Sequence, residues 1–394
     1  MHLLYLADIR FPIERANGIQ TIETCYALAE RGHRVSLLVR PDTASPPRDP
    51  LQFYGLPPHS RLVVQRAPVA GPQVVRRAMY LAQGLKATVS QGRLDALLTR
   101  DLGAASILLG LPKPIRPPLV YESHGLAPVF AETLPELLSG GRAGSMSKVR
   151  RLFARERRVW RLAEGYITIT AGLMKDLTDR FGSRGNAEVI PDGVRLSSAR
   201  RFTPPRTTAA PLVAYAGHLY PWKGVDVLLE ALTRAPLVRA RIVGGHPAEG
   251  DLGRLKALAQ RLGIESRVEF VGFVHRTAVP GLLEQADVLV LPHTATPVSE
   301  RYASPLKLFE YMAAGKPIVA SDLSAVREIL RDGQNACLVP PGDAAALAAG
   351  LARALADPSF AERIARSAYE EAASYTWARR AERLEHLLER VRRS

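Results

Sequence analysis

A chain of 394 residues exceeds one ordinary hydrophobic core, and 47% hydrophobic with 23% charged residues is a globular balance, so two domains of ordinary size are expected. No apolar run approaches the ~18 residues that span a bilayer. His2–Asp8 lacks a basic leader region, and Cys25 and Cys337 stand far apart without metal-type spacing, which together point to a reducing, cytoplasmic setting with two buried thiols.

His2–Ala7 reads as a buried strand, Ile19–Glu30 as a helix stopped by Gly32, and Val35–Val39 as the next strand. Pro41–Gly71 is proline-rich and weakly patterned, and is expected to form long loops. Leu94–Leu98, Leu119–Glu122 and Tyr166–Thr170 continue a strand–helix alternation that predicts a parallel sheet covered on both faces. The net charge of +15 is concentrated here: residues 1–200 hold 28 basic against 17 acidic residues, the remainder 25 against 21. It peaks in Lys148–Arg161, where Val149, Leu152, Phe153, Trp160 and Ala163 fall near one stripe of an amphipathic helix. Such a helix is either core-packed with a solvated arginine face, or a contact for an anionic membrane surface or acidic acceptor. The lack of an aromatic-rich basic face disfavours nucleic acid.

Phe202–Arg206 resembles a linker. Beyond it, strands are expected at Leu212–Tyr215, Ala240–Val243, Val268–Phe270, Val288–Leu291, Pro317–Ala320 and Ala336–Leu338. Helices fit between them at Val225–Leu232, Leu252–Leu262, Ala278–Gln285, Leu306–Ala314 and Ser324–Arg331, then at Ala344–Leu355, Phe360–Ser374 and Trp377–Arg392. The pattern is α/β: two doubly wound, Rossmann-like domains, 1–202 and 203–375, followed by a terminal helix in 376–394. Ligands in such sheets sit at the carboxyl ends of the strands, and a cleft between two domains is the preferred place.

Two blocks carry chemistry. Gly217-His218-Leu219-Tyr220-Pro221-Trp222-Lys223-Gly224 is a glycine turn between strand and helix, with a lysine aimed at the turn, as a phosphate-bearing ligand requires. Ser304, Pro305, Leu306 and Lys307 open a helix whose free amides suit a diphosphate or sugar, and Lys307 adds a second cation. Glu310 stands inside that helix, which Gly315 and Pro317 terminate. A diphosphate at one end and a hydroxyl-rich group at the other describe a sugar nucleotide. In the first half, Gly18 follows Arg10, Glu14 and Arg15 and opens a helix whose amides suit the same diphosphate; Arg10 and Arg15 are candidates for the acceptor side. The plain structural alternatives are surface lysines at 223 and 307 and an ordinary loop glycine at 18. There is no Asp-x-Asp and no histidine or carboxylate cluster with metal spacing, so no metal or other cofactor is expected.

Four segments, Val189–Val194, Tyr215–Gly224, Val268–Phe273 and Ser304–Asp322, together resemble a family 4 glycosyltransferase of the two-domain GT-B fold. The resemblance covers most of the chain and is strongest over residues 187–340. It implies a retaining transferase that moves a sugar from a nucleoside-diphosphate sugar, such as a UDP-sugar, to a lipid-linked, saccharide or other, including anionic, acceptor. Lys223 matches the family's lysine, but His218 stands where the family has arginine. Glu310 matches the second glutamate of Glu-x7-Glu, which accepts from ribose hydroxyls; the first position holds Tyr302. Gly272 and Phe273 resemble the base-binding turn, with Gly244 lining the same pocket. His124, in Tyr121–Gly125 at the edge of a buried strand, resembles the active-site histidine beside the transferred sugar. The implied mechanism is front-face attack, with Lys223, His218 and Lys307 drawing on the departing diphosphate and the terminal helix packing back towards the first domain. The two departures keep other readings open: a sugar-phosphate synthase with a soluble phosphorylated acceptor, or a non-catalytic sugar-nucleotide-binding subunit.

Overall fold

The computed structural model describes residues 1–90, 92–137, 144–198, 200–205, 208–246 and 249–393, so Arg206 of the expected linker lies outside the described residues. The chain divides into two compact units: Met1–Ala131, Ser145–Asp192 and Trp377–Ser394 form the first, Glu132–Gly144 and Gly193–Thr376 the second. Residues 193–202, grouped with the first half on sequence, pack with the second unit. Val194 N–H, for instance, donates to the Tyr375 carbonyl at 2.9 Å.

The first unit holds seven parallel strands: β1 (His2–Arg10), β2 (Arg34–Arg40), β3 (Leu62–Arg66), β4 (Ala96–Thr99), β5 (Leu119–Ser123), β6 (Gly165–Thr168) and β7 (Ala187–Val189), in the order β3-β2-β1-β4-β5-β6-β7. β1 is central because both of its faces are apolar: Leu3, Leu4, Tyr5, Leu6 and Ala7 are all buried. Tyr5 pairs with Leu37 on one side and Leu98 on the other. Strand order reverses between β1 and β4, so the loops after these strands diverge and leave a crevice at their carboxyl ends.

Pro41–Gly71 is not all loop: it contains the short helix Pro50–Phe53 and the edge strand β3. β3 has only one protected face, and Val63 on the other is exposed, which weakens its pattern. The helix Trp377–Arg393 packs on the helix Ala16–Glu30. It buries Trp377, Arg380, Ala381, Leu384, Leu387, Leu388 and Val391, an apolar stripe at helical spacing with one arginine inside it. Each buried leucine in that stripe contributes about 2 kcal/mol.

The second unit holds β8 (Leu212–Ala216), β9 (Arg239–Val243), β10 (Val268–Gly272), β11 (Val288–Leu291), β12 (Ile318–Ser321) and β13 (Cys337–Val339), in the order β10-β9-β8-β11-β12-β13. The reversal falls between β8 and β11, whose pairing joins Leu289 to Ala214. The expected helix Ser324–Arg331 is a single turn, Ser324–Arg327, because Ile329 and Leu330 leave the helix to bury themselves in the core. Cys25 and Cys337 are buried free thiols.

Candidate functional site

In the second unit the site grows from the end of β8. Gly217 follows at φ +146°, and its N–H donates to the Val243 carbonyl at 2.8 Å, tying the turn to the end of β9. Gly244 N–H in turn donates to the Gly272 carbonyl at 2.8 Å, so three adjacent strands end in laced glycine turns. A Cβ on Gly217 would lie 2.0 Å from Lys307 Nζ: glycine is what lets the lysine reach over the strand end. A second turn, Pro221–Lys223, leads through Gly224 (φ +69°) into the helix Val225–Thr233. The Pro292 carbonyl presses against Gly224, 1.8 Å from where a Cβ would stand. Thr294 N–H also donates to the Trp222 carbonyl at 3.1 Å, so the segment after β11 buttresses this turn.

Two ammonium groups converge there. Lys307, in the first turn of the helix Leu306–Ala314, donates from Nζ to Tyr215 Oη at 2.8 Å. Lys223 Nζ sits 3.5 Å from the centroid of the Trp222 ring. Burial pushes the Lys307 pKa down to about 7, against the opposing pull of Glu310 one turn along the helix. Burial and then the charge of Lys307 hold Lys223 well below the ordinary lysine value. The helix carrying Lys307 begins at Pro305 without a side-chain cap, which leaves first-turn amides beside the cations. Two desolvated lysines next to uncapped amides make a site in which a bound anion stabilises the charged form of both.

His218 differs from the arginine the resemblance calls for. Its ring stacks on Tyr220, with centroids 5.0 Å apart and planes 6° from parallel, and Nδ1 lies 3.4 Å from Glu249 Oε2. Burial, and the lysines less strongly, outweigh Glu249 and lower its pKa, so near pH 7 it is a neutral ring and not a third cation. Tyr302 is buried at the end of the helix Pro297–Arg301. Ser304 and Pro305 form the short approach to the next helix, and Glu310 follows Lys307 on the same face. Gly272 and Phe273 end β10, with Phe273 47% exposed and edge-on to His246 at 5.7 Å. An open cavity of about 860 Å³ in this unit touches the site only through Glu310. It lies against Asp287 and Lys316 at the opposite strand ends, so the lysine site and not that cavity carries the chemistry.

His293, the second residue after β11, carried no signal in the sequence. It is fully buried, neither ring nitrogen has a hydrogen-bond partner, and its ring lies 5.6 Å from that of Trp222. Burial and then Lys223 hold its pKa well below the usual value.

The first unit carries a second polar cluster, at the carboxyl end of β5. Glu122 Oε1 accepts from Gln20 Nε2 at 2.5 Å, His124 Nε2 at 2.7 Å and Arg380 Nη2 at 2.6 Å. Arg100 Nη1 donates to Gln20 Oε1 at 2.8 Å, completing the chain. Despite burial, Arg380 and His124 bring the Glu122 pKa down to about 2. Burial and then Arg100 lower that of His124. Arg380 sits on the apolar stripe of its helix, and that misplaced charge was the readable sign of a buried partner.

Gly18 lies within the helix Ala16–Glu30, which starts earlier than expected. Its N–H is committed to Arg15 O and Asn17 Oδ1, both at 2.9 Å, and its missing side chain makes room for the Tyr54 hydroxyl. Packing against Tyr54 therefore requires a glycine here. Arg10 donates to Thr43 Oγ1 at 2.9 Å and lies 3.6 Å from Glu14, while Arg15 is exposed at the helix start. Among the described residues no group of three or more His, Cys, Asp or Glu is arranged to hold a metal ion.

Two family models match, one described as glycosyl transferases group 1 over residues 199–371 and one as a glycosyl transferase 4-like domain over residues 18–193. The chain is 30% identical over 289 residues to the D-inositol 3-phosphate glycosyltransferase of Nocardia farcinica, covering 68% of this chain and 60% of that protein. It is 34% identical over 200 residues to the phosphatidyl-myo-inositol mannosyltransferase of Mycobacterium leprae, covering 49% of this chain and 50% of that protein. The chain thus spans between half and three-fifths of the length of these curated relatives. The crystal structure of Anabaena HepE in complex with UDP superposes with a TM-score of 0.71 at 21% identity, covering 99% of this chain and 100% of that one. Matched in both halves by family models, and folded as two parallel α/β sheets like its structural neighbours, the chain belongs to the group 1, family 4-like glycosyltransferases of the GT-B fold.

Proposed function

We propose that the protein transfers a sugar from a nucleoside-diphosphate sugar to a hydroxyl acceptor, with retention of anomeric configuration and without a metal ion. The observation that carries this reading is the pair of desolvated lysines, Lys223 and Lys307, meeting at the glycine turn after β8. Cleaving the donor's anomeric C–O bond leaves charge on the diphosphate, and preformed cations stabilise that charge without reorganising. Glu310 suits the ribose hydroxyls, and the exposed face of Phe273 at the end of β10 suits the base. His124 suits a sugar hydroxyl. The acceptor hydroxyl attacks the face the diphosphate leaves, and its proton passes to a departing phosphate oxygen, so atoms and charge balance without an enzymic nucleophile. UDP is the favoured nucleotide because HepE is solved with it, and an inositol phosphate or inositol lipid is the favoured acceptor class because the relatives named above act on them.

Titration calorimetry with UDP and GDP, followed by sugar transfer in the presence of EDTA, tests this reading. Expected are micromolar binding of one nucleotide, its loss in Lys223→Met, and transfer that survives the chelator. Binding of neither nucleotide at millimolar concentration would sink it, and transfer abolished by EDTA would remove its metal-independent part.

A specific surface favours work at an anionic membrane. The helix Met146–Leu162 exposes Arg150, Arg151, Arg155, Arg157, Arg158 and Arg161 beside Phe153 and Leu162. Apolar and basic groups exposed together fit a lipid headgroup layer. Among the described residues no helix is long and apolar enough to cross a membrane. Co-sedimentation with phosphatidylglycerol vesicles, reduced in Arg155→Glu/Arg158→Glu, is the expected result; equal sedimentation of variant and wild type would remove the assignment.

A further inference from the structure

The C-terminal helix contributes one side chain to the polar cluster at β5, and its geometry singles it out. Arg380 Nη2 donates to Glu122 Oε1 at 2.6 Å, Nη1 to the carbonyls of Ile190 at 2.6 Å and Pro191 at 2.9 Å, and Nε to Thr24 Oγ1 at 3.3 Å. Arg380 is 3% exposed. It therefore holds together a helix, the end of β5 and the segment after β7.

Three donors meet on Glu122 Oε1, while Oε2 has no hydrogen-bond partner. An ionised carboxylate only accepts, so the His124 nitrogen facing it must carry the proton. That nitrogen is Nε2, and the neutral ring is then left with a lone pair on Nδ1 as its only acceptor. The orientation of Gln20 is fixed in the same way. Its carbonyl oxygen takes Arg100, which turns its NH2 group to Glu122.

We propose that Arg380 is a positioning residue which, acting through Glu122, fixes His124 as the Nε2–H tautomer and so presents Nδ1 as a hydrogen-bond acceptor for a sugar hydroxyl. The role of Nδ1 in transfer rests on the function proposed above; the control of the tautomer does not. A lysine cannot substitute fully, because one ammonium group cannot span a carboxylate and two carbonyls in the geometry of a planar fork. The groups facing His124 and Glu122 from the surrounding elements include Tyr5 on β1, Gln20 and Cys25 on the first helix, Arg100 after β4, Asp192 after β7 and Arg380. Of these, Arg380 is the cation that touches the carboxylate directly.

The test is nitrogen-15 NMR of histidine-labelled full-length protein, with the His124 signals assigned by their loss in His124→Gln. Wild type should show pyrrole-type Nε2 and pyridine-type Nδ1. Arg380→Gln should show a mixture of tautomers, with kcat down about 10- to 100-fold, as for loss of an orienting hydrogen bond, and nucleotide affinity unchanged. Arg380→Lys should restore the tautomer in part. Arg390→Gln, on the same helix but on its solvent side, should match wild type in every readout. If Arg380→Gln does not fold, Glu122→Leu carries the test, since it removes the acceptor that Arg380 holds. A His124 signal unchanged by loss of either residue, or a Nδ1–H tautomer in wild type, would overturn the proposal. A tautomer that shifts as expected in a protein with no transferase activity would overturn the functional reading and leave the tautomer control standing.

Discussion

Lys307 donates to the hydroxyl of Tyr215 at 2.8 Å, and that hydroxyl in turn donates a hydrogen bond to the His218 carbonyl at 2.5 Å. The ammonium group is thereby anchored over the end of β8 by an oxygen that carries no charge. It has a hydrogen bond but no full counter-charge at that contact, which is why burial lowers its proton affinity.

Proton uptake should follow. With a pKa of about 7, Lys307 is largely neutral at pH 8, and a bound diphosphate restores its ordinary basicity. Calorimetric titration of nucleoside diphosphate at pH 8, in buffers of different ionisation enthalpy, should reveal net proton uptake that is reduced in Lys307→Met, the remainder belonging to Lys223. Affinity should rise as pH falls from 9 to 7, since the cation is then already present. Pure proton release on binding would contradict this account.

The two glycines of the site should fail in different ways. A side chain at Gly217 meets the mobile end of Lys307 at 2.0 Å, whereas one at Gly224 meets the Pro292 backbone carbonyl at 1.8 Å. Gly217→Ala should therefore lower nucleotide affinity about tenfold or more with a modest fall in Tm, because Lys307 swings away. Gly224→Ala should cost about 2 kcal/mol or more of stability, since backbone must move. Nucleotide titration and thermal melts on both variants separate the two.

His293 is a buried group with no hydrogen-bond partner among the described residues, and that sets both a stability cost and an acid sensitivity. Its folded pKa is below the unfolded 6.5, so the unfolded chain takes the proton first. The stability linked to it is present above pH 6.5 and is lost as pH falls below that value. His293→Leu should leave Tm at pH 7 unchanged or higher, because two unsatisfied nitrogens cost about 1–3 kcal/mol. The Tm of the variant should also fall less than wild type between pH 7 and 5. A larger fall in the variant would show that the ring has a role in the folded state beyond burial.

Glu156 gives the opposite slope. It is fully buried on the basic helix, accepting from Tyr166 Oη at 2.9 Å and Ala127 N–H at 3.1 Å, and burial raises its pKa to about 7. The folded state holds this proton longer than the unfolded chain, so stability falls as pH rises from about 4.5 through about 7. Glu156→Gln should flatten the decline in Tm between pH 5 and 8.

Strands with two buried faces were legible in the sequence. Leu3–Ala7 and Val288–Leu291 are apolar in every residue, and their flanking helices carry clear stops such as Gly315. β3 and β7 were not: Val63 to Arg66 of β3 are half-buried or exposed and end in Gln65 and Arg66, and all three residues of β7, Ala-Glu-Val, are half-buried, so neither leaves a buried apolar run. The phosphate-type turn was readable at Lys223 because glycine and lysine hold it locally. Glu249 and His293 reach it from the ends of other strands, over separations that sequence spacing does not encode. The packing of Gly18 against Tyr54 was not legible for a related reason: the two residues meet across 36 positions of the chain.

The first unit is discontinuous, and the order of synthesis gives that a consequence. The ribosome makes the roughly 180 residues of Gly193–Thr376 before it reaches the helix that carries Arg380. At about 5–20 residues per second, the stub ending at Asp192 waits roughly ten to forty seconds with a bare apolar groove along Ala16–Glu30 and a buried-to-be Glu122 still without its guanidinium. The early half of the nascent chain is therefore the stretch that chaperones would be called on to shield, although it is the first to emerge.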